Sequence, residues 1–169
     1  MTKITVSSTI KNNDVRTKDF IWDSYTNPIH IVNWNYADPT WHCPVATNDM
    51  KVGGKYTCRM EEKNNATVGF DFIATYTDIK LGEQFTYVLD GDNRVVNVQF
   101  HTDDNTGGTN NDHNDDGSST SCTRIVITFD AENENSIEMQ QSGWQMILNN
   151  FQSYVETKTT TTTHAGNNM

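Results

Sequence analysis

Trp41-His42-Cys43-Pro44 sets an imidazole beside a thiol, the two groups that make a nucleophile and its base. Adjacent residues in an extended segment point apart, and no third residue is evident to orient the imidazole. The tetrapeptide therefore reads as a loop packed against neighbouring helices. Asp71 interrupts the most apolar stretch, GFDFIATYTDI at Gly69–Ile79. It could act as a general base only on the face of Phe70 and Phe72, and alternation puts it on the opposite, solvated face. Asp112-x-Asn114-x-Asp116-Gly117 has the opening spacing of a calcium loop. Thr123 holds the twelfth position, where a bidentate glutamate belongs, so the match reads as chance. The five histidines are scattered, and His30 reads as surface. Cys43, Cys58 and Cys122 form no CxxC pair, and an odd count suits reduced thiols. Cys58 and Cys122 fall in predicted strands as buried packing residues. No catalytic residue, metal or cofactor is expected.

The elements that would position any site are clearer. Trp144, Leu148, Phe151 and Val155 recur at steps of four, three and four, with Ile147 and Tyr154 beside them. That spacing predicts a helix over 135–156 with one wide apolar face, capped by Asn135 and Glu138. Gly143 inside it suggests a close approach by a neighbour. A first strand over 3–10 precedes a helix from Asn13 or Asp14 to about Thr26, whose buried side is marked by Val15, Trp22 and Tyr25. Pro28 starts a second short helix. Residues 35–44 read as an irregular aromatic loop, followed by a short strand at 45–48. Alternation then predicts strands over 55–62, 67–78, 84–89, 94–101 and 123–129, joined by short turns. The polar run 102–119 reads as a long loop, and 157–169 as a disordered tail after a domain spanning 1–156.

Twelve basic against 22 acidic residues leave a net charge of −10. Such a surface repels phosphate backbones and anionic membrane, so neither nucleic acid nor membrane insertion is expected. Only 34% of the residues are hydrophobic, but the deficit lies in the two polar segments. No apolar run approaches the roughly 18 residues of a membrane span, and the first residues lack the apolar core of a signal peptide. A cytoplasmic protein is the expectation.

Several segments, in order, resemble the family named for homology to the activator of the Hsp90 ATPase, within the START/Bet v 1-like (SRPBCC) superfamily. They are TNPIHIVNW within 15–34, WHCP at 41–44, NDMKVGGKY at 48–56, GFDFIATYTDI at 69–79, ITFDAE at 127–132 and GWQMILNNFQSYV at 143–155. The resemblance implies an α+β helix-grip fold. Six or seven antiparallel strands would wrap around the C-terminal helix, with two short helices closing one end. It also implies an apolar pocket between helix and sheet. By phase, Trp144, Leu148 and Phe151 would face Phe70, Phe72, Tyr76, Tyr87 and Phe100, with Trp34 and Trp41 near the mouth. The expected function is non-enzymatic binding of a hydrophobic small molecule or lipid. Contact with an Hsp90-type chaperone ATPase is the alternative, and a cyclase-like activity in the pocket is a third reading.

Overall fold

The structure, a computed structural model, describes residues 1–104 and 121–160. The calcium-like spacing at 112–117 and the tail beyond Thr160 lie outside the described residues. Strands β1 (Lys3–Lys11), β2 (Trp41–Asn48), β3 (Lys55–Glu62), β4 (Asn65–Lys80), β5 (Gln84–Leu89), β6 (Val95–Asp104) and β7 (Ser121–Asp130) form one antiparallel sheet. Helices α1 (Lys18–Thr26) and α2 (Pro28–Ile31) lie between β1 and β2, and α3 (Ile137–Thr160) ends the described chain.

The order across the sheet is β1-β7-β6-β5-β4-β3-β2. Strands β2 to β7 are thus a meander, and β1 lies at the edge opposite β2. The segment holding α1 and α2 must carry the chain from one edge to the other. Along β1, Ile4, Val6, Ser8 and Ile10 are buried while their neighbours are exposed, a strict period of two. In β7, Ile125, Ile127 and Phe129 continue the same inner face. The sheet curls around α3, which buries Leu148, Phe151 and Val155 against it.

Several local expectations need correction. Asn13 does not start α1; its side chain accepts from the amides of Val15 (3.0 Å) and Arg16 (2.5 Å) and makes a turn instead. Thr17 caps the helix, accepting from Phe20 N at 3.2 Å. Val15 therefore precedes the helix and is exposed. The WHCP segment is the start of β2, not a loop. Its register shifts between His42 and Val45, a bulge that tolerates Pro44 on an edge strand. Ser136 caps α3, accepting from Met139 N at 3.2 Å, while Asn135 is held by the Glu132 carboxylate. Strand β6 runs on through Asp104, and α3 reaches Thr160, into both segments read as loop or tail.

A feature with no sequence signal is the contact between α3 and the free edge of β1. Gln141 donates to Thr5 O at 3.2 Å and Gln145 to Ser7 O at 3.0 Å. Ser8 Oγ donates to Gln152 Oε1. The helix thereby satisfies edge carbonyls that would otherwise invite another strand.

Nothing packs closely on Gly143: a Cβ built there meets no atom within 4 Å. Gly143→Ala should stabilise the protein by about 1 kcal/mol, the helix-propensity difference. Urea denaturation of the two proteins checks this.

Candidate functional site

Between the concave face of the sheet and α3 lies a cavity of about 360 Å³. Small-molecule sites begin at about 300 Å³. Strand β3 supplies Tyr56 and Met60 to its wall; β4 supplies Phe70, Phe72 and Tyr76; β5 supplies Phe85, Tyr87 and Leu89. Ile127 of β7 and Trp144, Ile147 and Leu148 of α3 line it too, and Tyr25 and Trp34 come from the crossover segment. The lining reaches solvent at Phe70, Ile73, Asp90 and Asp92, which are exposed.

Trp144 stacks on Phe129 at 4.4 Å between centroids, so its ring is pinned to the β7 side. Further along the stripe, Phe151 packs edge-on against both Tyr25 and Trp34 at 5.0 Å. Phe100 meets Trp22 at 5.0 Å and Tyr25 at 5.5 Å. These rings make a solid aromatic cluster beside the cavity.

Of the ten residues proposed for the pocket, Trp34, Phe70, Phe72, Tyr76, Tyr87, Trp144 and Leu148 line the cavity. Phe100 and Phe151 stand outside the lining, within the solid cluster. Trp41 stands outside it too, on β2, 6.2 Å from the Phe70 ring. Trp34 is not at the mouth: it is only 2% exposed, and its Nε1 donates to Ser24 O at 3.0 Å. Phase gives the direction of a side chain but not how far along the helix the void extends.

Sequence reasoning missed Asn48 and the turn beside it. Tyr76 Oη donates to Asn48 Oδ1 at 2.9 Å, and Asn48 Nδ2 donates to Thr26 O at 2.6 Å. One amide thus ties the end of α1, the end of β2 and the middle of β4 at the cavity wall. The following turn pairs with the same tyrosine, as Gly53 N donates to Tyr76 O (2.8 Å) and Tyr76 N to Gly54 O (3.0 Å). A Cβ on Gly54 would lie 2.0 Å from Asp49 O, so the turn admits only glycine there. The Gly53-Gly54 pair in the sequence signals a tight turn but not the strand it pairs with.

Four phenols are among the polar groups of the cavity. Burial pushes the hydroxyls of Tyr25, Tyr56, Tyr76 and Tyr87 up from the ordinary tyrosine value, so all four keep their protons. Asp71 is at the rim, its side chain 64% exposed and 3.4 Å from Arg59 Nη1.

The residues that looked reactive are kept apart. His42 Nε2 is 3.2 Å from Glu61 Oε1. The neighbouring Cys43 is buried, and its thiol donates to Val45 O at 3.5 Å. Its contact with the Cys58 thiol and its burial push Cys43 up, away from thiolate, while the same contact lowers Cys58. All three cysteines are free; Cys43 and Cys58 are buried and Cys122 is half-buried. His30 is not a free surface residue: its Nδ1 is 2.7 Å from Tyr154 Oη and joins α2 to α3. Among the described residues no cluster of three His, Cys, Asp or Glu could hold a metal, and no helix is long and apolar enough to cross a membrane.

A curled antiparallel sheet closed by a C-terminal helix, with two short helices after the first strand, is the helix-grip fold of the START/Bet v 1-like class. Residues 17–156 match the family described as Activator of Hsp90 ATPase homolog 1-like protein, and the chain belongs to that family. An AHSA1-like protein from Aeromonas hydrophila is 29% identical, with 97% of this chain and 99% of that one covered and a TM-score of 0.67. A protein of Cytophaga hutchinsonii is 35% identical over 99% of both chains, with a TM-score of 0.66. The Aha1 dimer of Colwellia psychrerythraea, at 12% identity, 92% and 97% coverage and a TM-score of 0.59, is alike in fold alone. No curated protein matches the chain.

Asn48→Ala removes the acceptor of Tyr76 and the donor to Thr26 together. It should destabilise the protein by roughly 1–3 kcal/mol, the range for leaving buried partners unsatisfied. Chemical denaturation measures it.

Proposed function

We propose that this protein binds an apolar small molecule or lipid in the cavity between the sheet and α3. One observation carries the reading: an interior void of about 360 Å³, lined by aromatic rings and reaching solvent at one rim. A core evolved only for stability fills such space, because each unfilled contact forfeits dispersion energy. Elsewhere in the same interior Phe100 meets Trp22 and Tyr25 edge-on, and Phe151 meets Tyr25 in the same way. The void therefore sits beside well-packed rings, not in a generally loose interior. Burial of a ligand's apolar surface supplies the driving force, at about 25 cal/mol per Å² before ordering losses.

The family's description favours a second reading, contact with an Hsp90-type chaperone ATPase through the protein surface. A net charge of −10 would then seek a basic patch, and added salt would weaken the contact.

Native mass spectrometry of freshly purified protein, followed by amide NMR with a lipid and aromatic library, tests the first reading. A co-purified mass, or shifts gathered on Trp34, Tyr76, Trp144 and Leu148, is the expected result. Ile147→Trp projects a larger ring into the cavity from a half-buried position. It should weaken any such ligand at least about tenfold, which corresponds to roughly 1.4 kcal/mol, while leaving the fold intact. Salt-sensitive binding to the chaperone, unchanged by Ile147→Trp, would favour the surface instead.

A further inference from the structure

The cavity holds two hydroxyls with nothing to bond. Tyr25 and Tyr87 both line it; neither hydroxyl bonds a protein atom among the described residues, and neither is shut away from open space as the unpartnered Ser24 Oγ is. Tyr87 is only 4% exposed. Polar groups cut off from water in folded proteins are nearly always paired, so an occupant that displaces water from the cavity must supply the partner. Four other polar side chains of the lining are already engaged. Tyr76 donates to Asn48, Trp34 to Ser24 O, and Asn48 to Thr26 O. Asn35 Nδ2 reaches Tyr56 Oη at 3.5 Å, and the Tyr56 hydroxyl lies against the Cys58 thiol. Tyr25 and Tyr87 flank the same ring, Phe85, at 6.1 Å and 6.0 Å between centroids. Two O–H donors without a protein partner thus belong to neighbouring rings of the lining.

Charge limits what they can meet. Arg94 is the cation in the lining, and its Nε is 2.6 Å from Asp92 Oδ2. Asp71, Asp90 and Asp92 also line the cavity near its mouth, with Asp90 held by Lys55 at 2.6 Å. An anionic ligand would find carboxylates at the entrance and, among the described residues, no unpaired cation in the wall. A neutral ligand is not opposed.

We propose that the cavity selects a neutral, largely apolar molecule carrying one oxygen acceptor, such as a carbonyl, which takes hydrogen bonds from Tyr25 and Tyr87. The inference rests on the cavity being a binding site and names the chemistry of its occupant. A carbonyl oxygen has two lone pairs and can accept from both hydroxyls at once. A hydrocarbon of the same shape would leave both donors buried and unpaired, and in its presence water could not replace them.

Three probes of one shape test this on the full chain: acetylnaphthalene, ethylnaphthalene and naphthoate, titrated by amide NMR and isothermal calorimetry. The wild-type protein should bind the ketone about tenfold more tightly than the hydrocarbon, and naphthoate most weakly. In the Tyr25→Phe/Tyr87→Phe double variant the ketone and the hydrocarbon should bind alike, with hydrocarbon affinity kept or improved. Removing orphan hydroxyls should not lower the melting temperature; each single variant, losing part of the preference, gives an independent check. Equal wild-type binding of ketone and hydrocarbon, tightest binding of naphthoate, or an undiminished ketone preference in the double variant would overturn the proposal while leaving the cavity a binding site. If none of the three moves a cavity resonance, the binding-site reading itself fails, and this inference falls with it.

Discussion

The apolar stripe of α3 laid into the concave sheet is the contact on which the rest depends. Leu148, Phe151 and Val155 are each at most 1% exposed. Each contributes roughly 1.5–3 kcal/mol by leaving water. Helix α1 covers part of that face too, with Trp22 and Tyr25 against Phe85 and Phe100. The same helix caps the β1 edge through Gln141 and Gln145, so it closes the sheet both on its face and along its open side. Its position follows from topology: β1 must sit beside β7, at the edge away from β2, for the crossover helices to bridge the sheet.

The cavity is a consequence of how that contact is distributed. From Leu148 onward the helix is met by tightly packed rings from α1, β6 and its own stripe. Toward the N-terminal end Trp144 is stacked against Phe129, and Gly143 offers no side chain. On the sheet side Phe72, Tyr76 and Tyr87 line the space. What remains is a space walled largely by rings, with four phenols in the wall and carboxylates near its mouth. Asn48 and the Gly53-Gly54 turn hold one of those phenols, Tyr76, in a fixed pose. Tyr25 and Tyr87 have no such holder.

Most of the architecture was legible in the sequence because it depends on period. Alternation in 55–62 and 84–89 gave β3 and β5 to the residue, and the stripe of α3 gave its buried face. Boundaries failed where a side chain bonds its own backbone. Asn13 makes a turn where a cap was expected, and Ser136 takes the cap from Asn135. Pro44 hid the start of β2, because a bulge at an edge absorbs the missing N–H. For the cavity, the residue types and their faces were readable, and seven of ten named side chains line it. Depth was not readable: Phe100 and Phe151 obey the same phase as Leu148, but their neighbours in space, Trp22, Tyr25 and Trp34, come from a distant segment. The Asn48 tie was invisible for the same reason, since it joins residues 22 and 28 positions apart.

The central claim is that the interior between α3 and the sheet is open, with two phenols facing an occupant. A high-resolution crystal structure of the protein as purified addresses it directly. The account predicts a space open at one rim with density, from water or from a retained molecule, within hydrogen-bond distance of both Tyr25 Oη and Tyr87 Oη. A closed interior, with Trp144 or Phe72 swung into the space and both hydroxyls bonded to protein atoms, would contradict it.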